Sequence, residues 1–355
     1  MNAWTHVPRR IILICQRVFG HRHIANEDRM IISRTPLRIS FAGGGTDLAD
    51  YYRTGYGAVV SATIKKFMYV TVNKRFDDDL RISYSKTEIV DNVEKVEHGI
   101  VREALKKVGL RNGVEVTTIA DIPSRGTGLG SSSALAVGLL NALYAFKGYR
   151  ASPKKLAEEA CEIEIERLGE PIGKQDQYIA AYGGIQHIKF NADETVTLDP
   201  VICPAKMKRD LENHMMLFYT GRTRKSSDIL SKQKNNTKTK KETLDQMRAQ
   251  ADQLFHHLTS LQLNKLGDTL RDGWNLKKSL AEGISDSEID KLYERAINAG
   301  AIGGKITGAG GGGFMILFAP PERHWAIRNA LSELKDIEFK FEPQGSRIIY
   351  VGDDM

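Results

Sequence analysis

The stretch Pro123–Leu135, PSRGTGLGSSSAL, decides how the rest of the chain is read. Gly126, Gly128 and Gly130 stand at alternate positions, and Ser131, Ser132 and Ser133 follow them. Glycine lets a backbone take positive φ and approach a ligand closely, and serine is a strong helix N-cap. The next run, ALAVGLLNALYAF, is almost wholly apolar and predicts a buried helix rather than a surface one. A glycine-rich loop that runs into a core helix brings free N–H groups and the positive end of the helix dipole to one place. Such a place binds anions, phosphate above all, and the working hypothesis is a nucleotide. A plain connecting loop would look similar. Two more glycine clusters, FAGGGTDL (41–48) and KITGAGGGGFMI (305–316), weigh against that reading.

At 355 residues, two domains are expected. A 41% apolar and 27% charged composition is ordinary for a soluble globular protein. Cys15, Cys161 and Cys203 lie far apart with no metal-ligand spacing, which points to a reduced, cytoplasmic setting and away from zinc. No apolar run is long enough for a membrane span. Residues 1–29 hold five arginines against Glu27 and Asp28, and read as a leader or extension outside the fold. They supply +3 of the net charge of +7. The other basic cluster, KQKNNTKTKK (232–241), reads as solvated surface, so no nucleic-acid partner is expected.

RISFAGGGTDL reads as a strand breaking into a glycine loop. AVVSATI and FMYVTVNKRF are β-rich and separated by Lys65 and Lys66, a hairpin-like or strand–strand pattern. LRISYS and VEVTTIADIP add strands, and EKVEHGIVREALKKVG carries a helical apolar stripe. Ser152-Pro153 caps a helix through PKKLAEEACEIEIERLG. A hairpin is expected near 182–201, a strand at MMLFYTG, long helices over roughly 242–263, 264–282 and 285–299, and closing strands at FKFEP and SRIIYVG. Each half is thus α+β, with domains over 30–205 and 206–355.

The third glycine cluster formally satisfies G-x-G-x-x-G at Gly308, Gly310 and Gly313, but a strand follows it where a dinucleotide site needs a helix. Walker A and protein-kinase motifs are absent. In their order and spacing, the three glycine segments resemble the three motifs of the GHMP small-molecule kinases, over about residues 30–355. The resemblance implies an α+β N-terminal domain, a ferredoxin-like C-terminal domain, an active site between them, and transfer of the γ-phosphoryl of ATP, with Mg²⁺, to a small metabolite. RTPLRISFAGGGTDL, GKQDQYIAAYGGI and TGRTRKSSDIL are most similar to bacterial D-glycero-D-manno-heptose 7-phosphate kinases, which phosphorylate an anomeric hydroxyl.

Residue roles follow from that resemblance. The loop Gly126, Thr127, Gly128, Leu129, Gly130, Ser131, Ser132 and Ser133 would wrap the ATP phosphates. Ser132 and Glu164 would hold Mg²⁺, with Glu162 and Glu166 as alternatives should the helix register slip. Asp176, in GKQDQY, would face the acceptor hydroxyl as base or charge stabiliser, and Arg38 would steady the transferring charge. A capping aspartate and an exposed strand arginine are the competing readings of these two.

Asp47, with Thr46 and Gly45, would hold sugar hydroxyls. Galactokinases carry Glu-His where this chain has Gly44-Gly45, which argues against galactose. A substrate phosphate would meet Arg222, Arg224 and Lys225, or Lys174, unless these are only exposed basic loop. Gly310 and Gly311 would support the phosphate loop and substrate by close backbone approach. The alternatives are another acceptor, such as a fucose-like sugar, galactose or mevalonate, or a catalytically silent relative. A homodimer is left open.

Overall fold

The computed structural model describes residues 29–122, 126–223 and 226–352. The extension 1–28, together with Arg224 and Lys225, lies outside the described residues, as does Pro123–Arg125 at the start of the phosphate-loop stretch.

The first half is built on a sheet whose backbone is β1 (Ile31–Ala42) against β2 (Tyr56–Lys74). Both are rich in β-branched and aromatic residues, as a buried strand requires. AVVSATI and FMYVTVNK are one strand, not a hairpin. Lys65 and Lys66 bulge out where pairing jumps from Pro36–Phe67 to Leu37–Ile64. The bend lets β2 serve two partners: β5 (Val114–Ala120) pairs with its second part and β6 (Ile185–Asn191) with its first. β3 (Leu80–Ser83) runs parallel to β5 and pairs with β4 (Thr87–Val90), while β7 (Val196–Pro200) forms the expected hairpin with β6.

Helix α3 (Ser131–Phe146) lies on this sheet, preceded in the chain by α1 (Ala49–Tyr52) and α2 (Gly99–Val108). Every residue of α3 except Ser132, Tyr144 and Ala145 is buried, as its apolar run requires. Gly138 permits the close approach: Ser33 Oγ donates to its carbonyl at 2.7 Å, and a Cβ there would lie 2.5 Å from Thr35 Oγ1. Next come α4 (Pro153–Cys161), capped by Ser152 through its bond from Lys155 N, and α5 (Gln175–Tyr182).

The second half has a four-stranded antiparallel sheet of β8 (Met215–Tyr219), β9 (Gly303–Ile306), β10 (Phe314–Phe318) and β11 (Lys335–Asp336). Its order is β11-β8-β10-β9, the ferredoxin-like arrangement. The helices are α6 (Ala205–His214), α7 (Ser226–Asn235), α8 (Lys241–Thr259), α9 (Lys265–Lys278), α10 (Ser287–Asn298) and α11 (His324–Ala330).

The halves are sewn together in two ways. The terminal strand β12 (Arg347–Val351) returns to the first sheet and pairs antiparallel with β1. Helix α8 packs on the first half through hydrogen bonds of Asp245 with Tyr51 of α1 and of Asp252 with Tyr56 of β2 and His187 of β6, at 2.6, 2.8 and 3.0 Å. One apolar cluster runs from Ile39 and Val60 in the first sheet to Leu254, Ile316 and Phe318 in the second half. Among the described residues, no helix is long and apolar enough to cross a membrane.

Candidate active site

The Gly126–Ser133 loop closes over β1 where the two halves meet. Gly126, Gly128 and Gly130 all have positive φ, of 67°, 73° and 75°. The cap of α3 is Gly130, and no side chain caps this end. The three serines are therefore the first helical residues rather than the cap. Their amides lie in the turn whose N–H groups have no partner within a helix, which is where an anion is stabilised. Ser132 is exposed, while Ser131 and Ser133 are buried. The glycines are needed for packing as well as conformation. A Cβ on Gly128 would lie 2.5 Å from Thr307 O, and one on Gly308 would lie 2.5 Å from the Gly128 Cα. The second and third glycine motifs (123–135 and 305–316) are thus in direct backbone contact.

Two cavities open on either side of one ion pair. Arg38 Nε and Nη2 donate to Asp176 Oδ1 and Oδ2 at 2.7 and 2.6 Å, and Arg38 Nη1 donates to Gly128 O at 2.5 Å. The guanidinium is nearly buried, at 6% side-chain exposure, so this is a held pair and not an exposed strand arginine. The first cavity, of about 210 Å³, is lined by the Gly126–Ser133 loop, Glu164, Ser226, Ser227 and Gly308. The second, of about 70 Å³, is lined by Ser40, Gly44, Gly45, Asp47, Lys277 and Lys305. Arg38, Asp176, Gly308 and Ala309 belong to both.

Asp47 is buried, accepts from Gly45 N at 2.9 Å, and has its carboxyl pushed up, first by burial and further by the charge of Asp176. Thr46 lies behind it, its hydroxyl donating to Gly43 O and Ala58 O, and so orders the loop. The room left by Gly45 is taken by Gln233, whose Nε2 stands 2.3 Å from where a Cβ would sit.

Of the three candidate glutamates, Glu164 is the one turned inward. A π-helical turn, Glu162–Arg167, interrupts the helix after Cys161. It leaves Glu162 paired with Lys107 and Arg167, Glu166 exposed, and Glu164 1% exposed beside the loop cavity. Burial raises Glu164 to about 7, opposed by hydrogen bonds from Ser133 and Gln177. Gln177 donates to it at 2.6 Å and leaves its own buried Oε1 without a partner.

The basic candidates are less central. Arg222 is held by Asp286 in a two-pronged pair of 3.0 and 2.8 Å, and Lys174 is bound to Glu194 above the Tyr52 ring. Neither lines either of the two cavities. Gly310 and Gly311 pack against Ile284, and within their loop it is Gly308 and Ala309 that reach the cavities. Lys277 and Lys305, by contrast, were not legible beforehand. Each is an ordinary lysine in sequence, one in a helix and one in a strand, and only the fold buries them at the second cavity.

Such a glycine-rich loop at the mouth of a buried helix on a β-sheet, joined to a ferredoxin-like half, defines a kinase-type two-domain fold. The comparisons agree. Residues 93–184 match the GHMP kinases N terminal domain and residues 255–336 the GHMP kinases C terminal domain. The chain is 31% identical over 336 residues to a D-glycero-alpha-D-manno-heptose 7-phosphate kinase of Campylobacter jejuni subsp. jejuni, covering 89% of this chain and 98% of that enzyme. It is 24% identical to a bifunctional fucokinase/GDP-fucose pyrophosphorylase of Arabidopsis thaliana, matching 90% of this chain and only 33% of that longer protein. The fold of a D-glycero-D-manno-heptose 1-phosphate kinase from Bacteriodes thetaiotaomicron superposes with a TM-score of 0.76 at 24% identity, covering 90% of this chain and 99% of that one. The protein belongs to the GHMP kinase family.

Proposed function

We propose that the protein is an ATP-dependent sugar kinase, and that its acceptor is the anomeric hydroxyl of D-glycero-D-manno-heptose 7-phosphate. One observation carries the assignment of roles: the Arg38–Asp176 pair stands between a phosphate-loop cavity and a smaller polar one. In this reading the triphosphate lies along Gly126–Ser133. The nucleoside takes a neighbouring cavity of about 550 Å³, lined by Tyr84, Ser85 and His98, which shares Ile100, Ser131 and Ser132 with the loop cavity.

The acceptor lies against Asp47 and Asp176. Its oxygen attacks the γ-phosphorus as the bond to the bridging oxygen of ADP breaks, and its proton passes to Asp176. Arg38 orients that carboxylate, and the loop amides neutralise charge on the phosphoryl oxygens.

The residues present fit a divalent cation. Ser132 and Glu164 would hold it, and burial of Glu164 is the cost a cation would offset. When bound, the ion supplies charge neutralisation at the phosphates. The free, widely spaced cysteines Cys161 and Cys203 suit a reducing cytoplasm.

The test is ADP release with heptose 7-phosphate, unphosphorylated heptose, fucose and mevalonate. Heptose 7-phosphate is expected to give the highest kcat/KM, and Asp176→Asn to lower kcat by roughly 10²–10⁴-fold. Unchanged turnover in that variant would remove Asp176 from the chemistry. A preference for fucose or mevalonate would replace the acceptor.

A further inference from the structure

Two buried lysines face the smaller cavity with no carboxylate partner. Lys277, at the last turn of α9, is 5% exposed and donates to Gly308 O. Lys305, in β9, is 4% exposed and reaches only Phe41 O, at 3.4 Å. An ammonium has three donors, so each retains unspent hydrogen-bonding capacity. Ser40 Oγ, on the same cavity wall, is buried and has no partner.

The charges nearby do not balance. Arg38, Lys277 and Lys305 stand against Asp47 and Asp176. Asp176 is spent on Arg38, and Asp47 accepts from the backbone N–H groups of Gly45 and Gln175 at 2.9 and 3.4 Å. Burial also lowers both lysines, Lys277 to about 8 and Lys305 well below its ordinary range, with Lys277 and Arg38 pressing on Lys305. Unpaired buried cations are costly, and a folded site retains them where a ligand supplies the counter-charge.

We infer that Lys277, Lys305 and Ser40 form the recognition site for a phosphate monoester on the acceptor. The inference rests on the kinase reading and deepens it by naming the residues that hold the acceptor's phosphate. A monoester has three terminal oxygens, and the site offers three donors that converge on one cavity. Arg222 and Lys174 are already engaged by Asp286 and Glu194, so they are weaker candidates for this role.

The experiment is isothermal titration of the full chain, with Mg²⁺ and a non-hydrolysable ATP analogue filling the loop, using heptose 7-phosphate, unphosphorylated heptose and mevalonate. The wild type should bind heptose 7-phosphate at least about tenfold more tightly than heptose, as expected when a charged hydrogen bond is gained. Lys277→Met and, independently, Lys305→Met should each erase most of that preference while leaving affinity for the ATP analogue within about twofold. Circular dichroism establishes that each variant folds, and Ser40→Ala serves as a milder third. Equal wild-type affinity for the two heptoses, no binding of either, or equal losses for both in the variants overturns the site. Tightest binding of mevalonate makes the anion a carboxylate and overturns the phosphate assignment. The kinase reading is judged separately. Heptose 7-phosphate turnover with an unaltered KM in Lys277→Met keeps the kinase and removes the phosphate site. Selective phosphate binding without ADP release does the reverse.

Discussion

A lysine at neutral pH is ordinarily far from its titration range, but Lys277 is not. Burial lowers it from 10.5 to about 8, opposed by Asp47 and Asp176 and reinforced by Arg38. Lys305, itself lowered, faces the same cavity. Two consequences have opposite signs. The ammonium is lost as pH rises through about 8, so kcat/KM for an anionic acceptor should fall above that pH. Over the same range the folded state no longer holds a buried charge while the unfolded chain still titrates near 10.5. Stability of the unliganded protein should therefore rise between about 8 and 10.5. Lys277→Met should flatten both profiles. A rate profile with its alkaline limb intact in that variant would assign the limb to another group. Glu164 illustrates the same economy of burial: a carboxylate raised to about 7 is poorly placed for stability alone.

At the level of elements, the interlocked loops decide whether the site exists. Gly128 has φ of 73° and sits where a Cβ would lie 2.5 Å from Thr307 O and 2.9 Å from Thr307 Oγ1. Gly128→Ala must strain the turn or push the third glycine loop away, at a cost of about 1–3 kcal/mol. The expected result is a lower urea midpoint together with a loss of ATP-analogue affinity larger than the loss of acceptor affinity. A variant that keeps both affinities would show that the contact is only packing. The π-helical turn at Glu162–Arg167 acts in the same way on direction. By adding a residue to one turn, it rotates the following side chains and turns Glu164 into the cavity while Glu162 stays at the surface with Lys107.

The molecule as a whole works because residues from both halves meet at one pair. Arg38 and Asp176 come from the first half, and Lys277, Lys305 and Gly308 from the second. Helix α8 holds the halves in register, and Asp252 accepts from Tyr56 while also bonding His187, whose side chain is 2% exposed. Asp252→Ala leaves both partners unsatisfied and should destabilise the protein by about 2 kcal/mol. Because Lys277 and Lys305 come to the smaller cavity from the second half, KM for the proposed acceptor should rise more than KM for ATP. Chemical denaturation and steady-state kinetics measure the two effects. A stability loss with equal changes in both KM values would confine Asp252 to folding.

The glycine spacing, the apolar run of α3 and the alternation of strand and helix were set by the chain itself, because φ preference and burial pattern are local properties. They made the α+β class legible and carried the resemblance that implied the family and its ferredoxin-like half, along with Arg38, Asp47, Glu164, Asp176 and the 126–133 loop at the two cavities. Tertiary structure alone decided the rest. Lys65 and Lys66 became a bulge inside β2 between the part that pairs with β6 and the part that pairs with β5, and the last strand returned to β1. Asp286 and Glu194 took up Arg222 and Lys174, while Lys277 and Lys305 became buried cations. The ionic character of a side chain depends on which distant carboxylate reaches it, and that distance is fixed only when the two halves close.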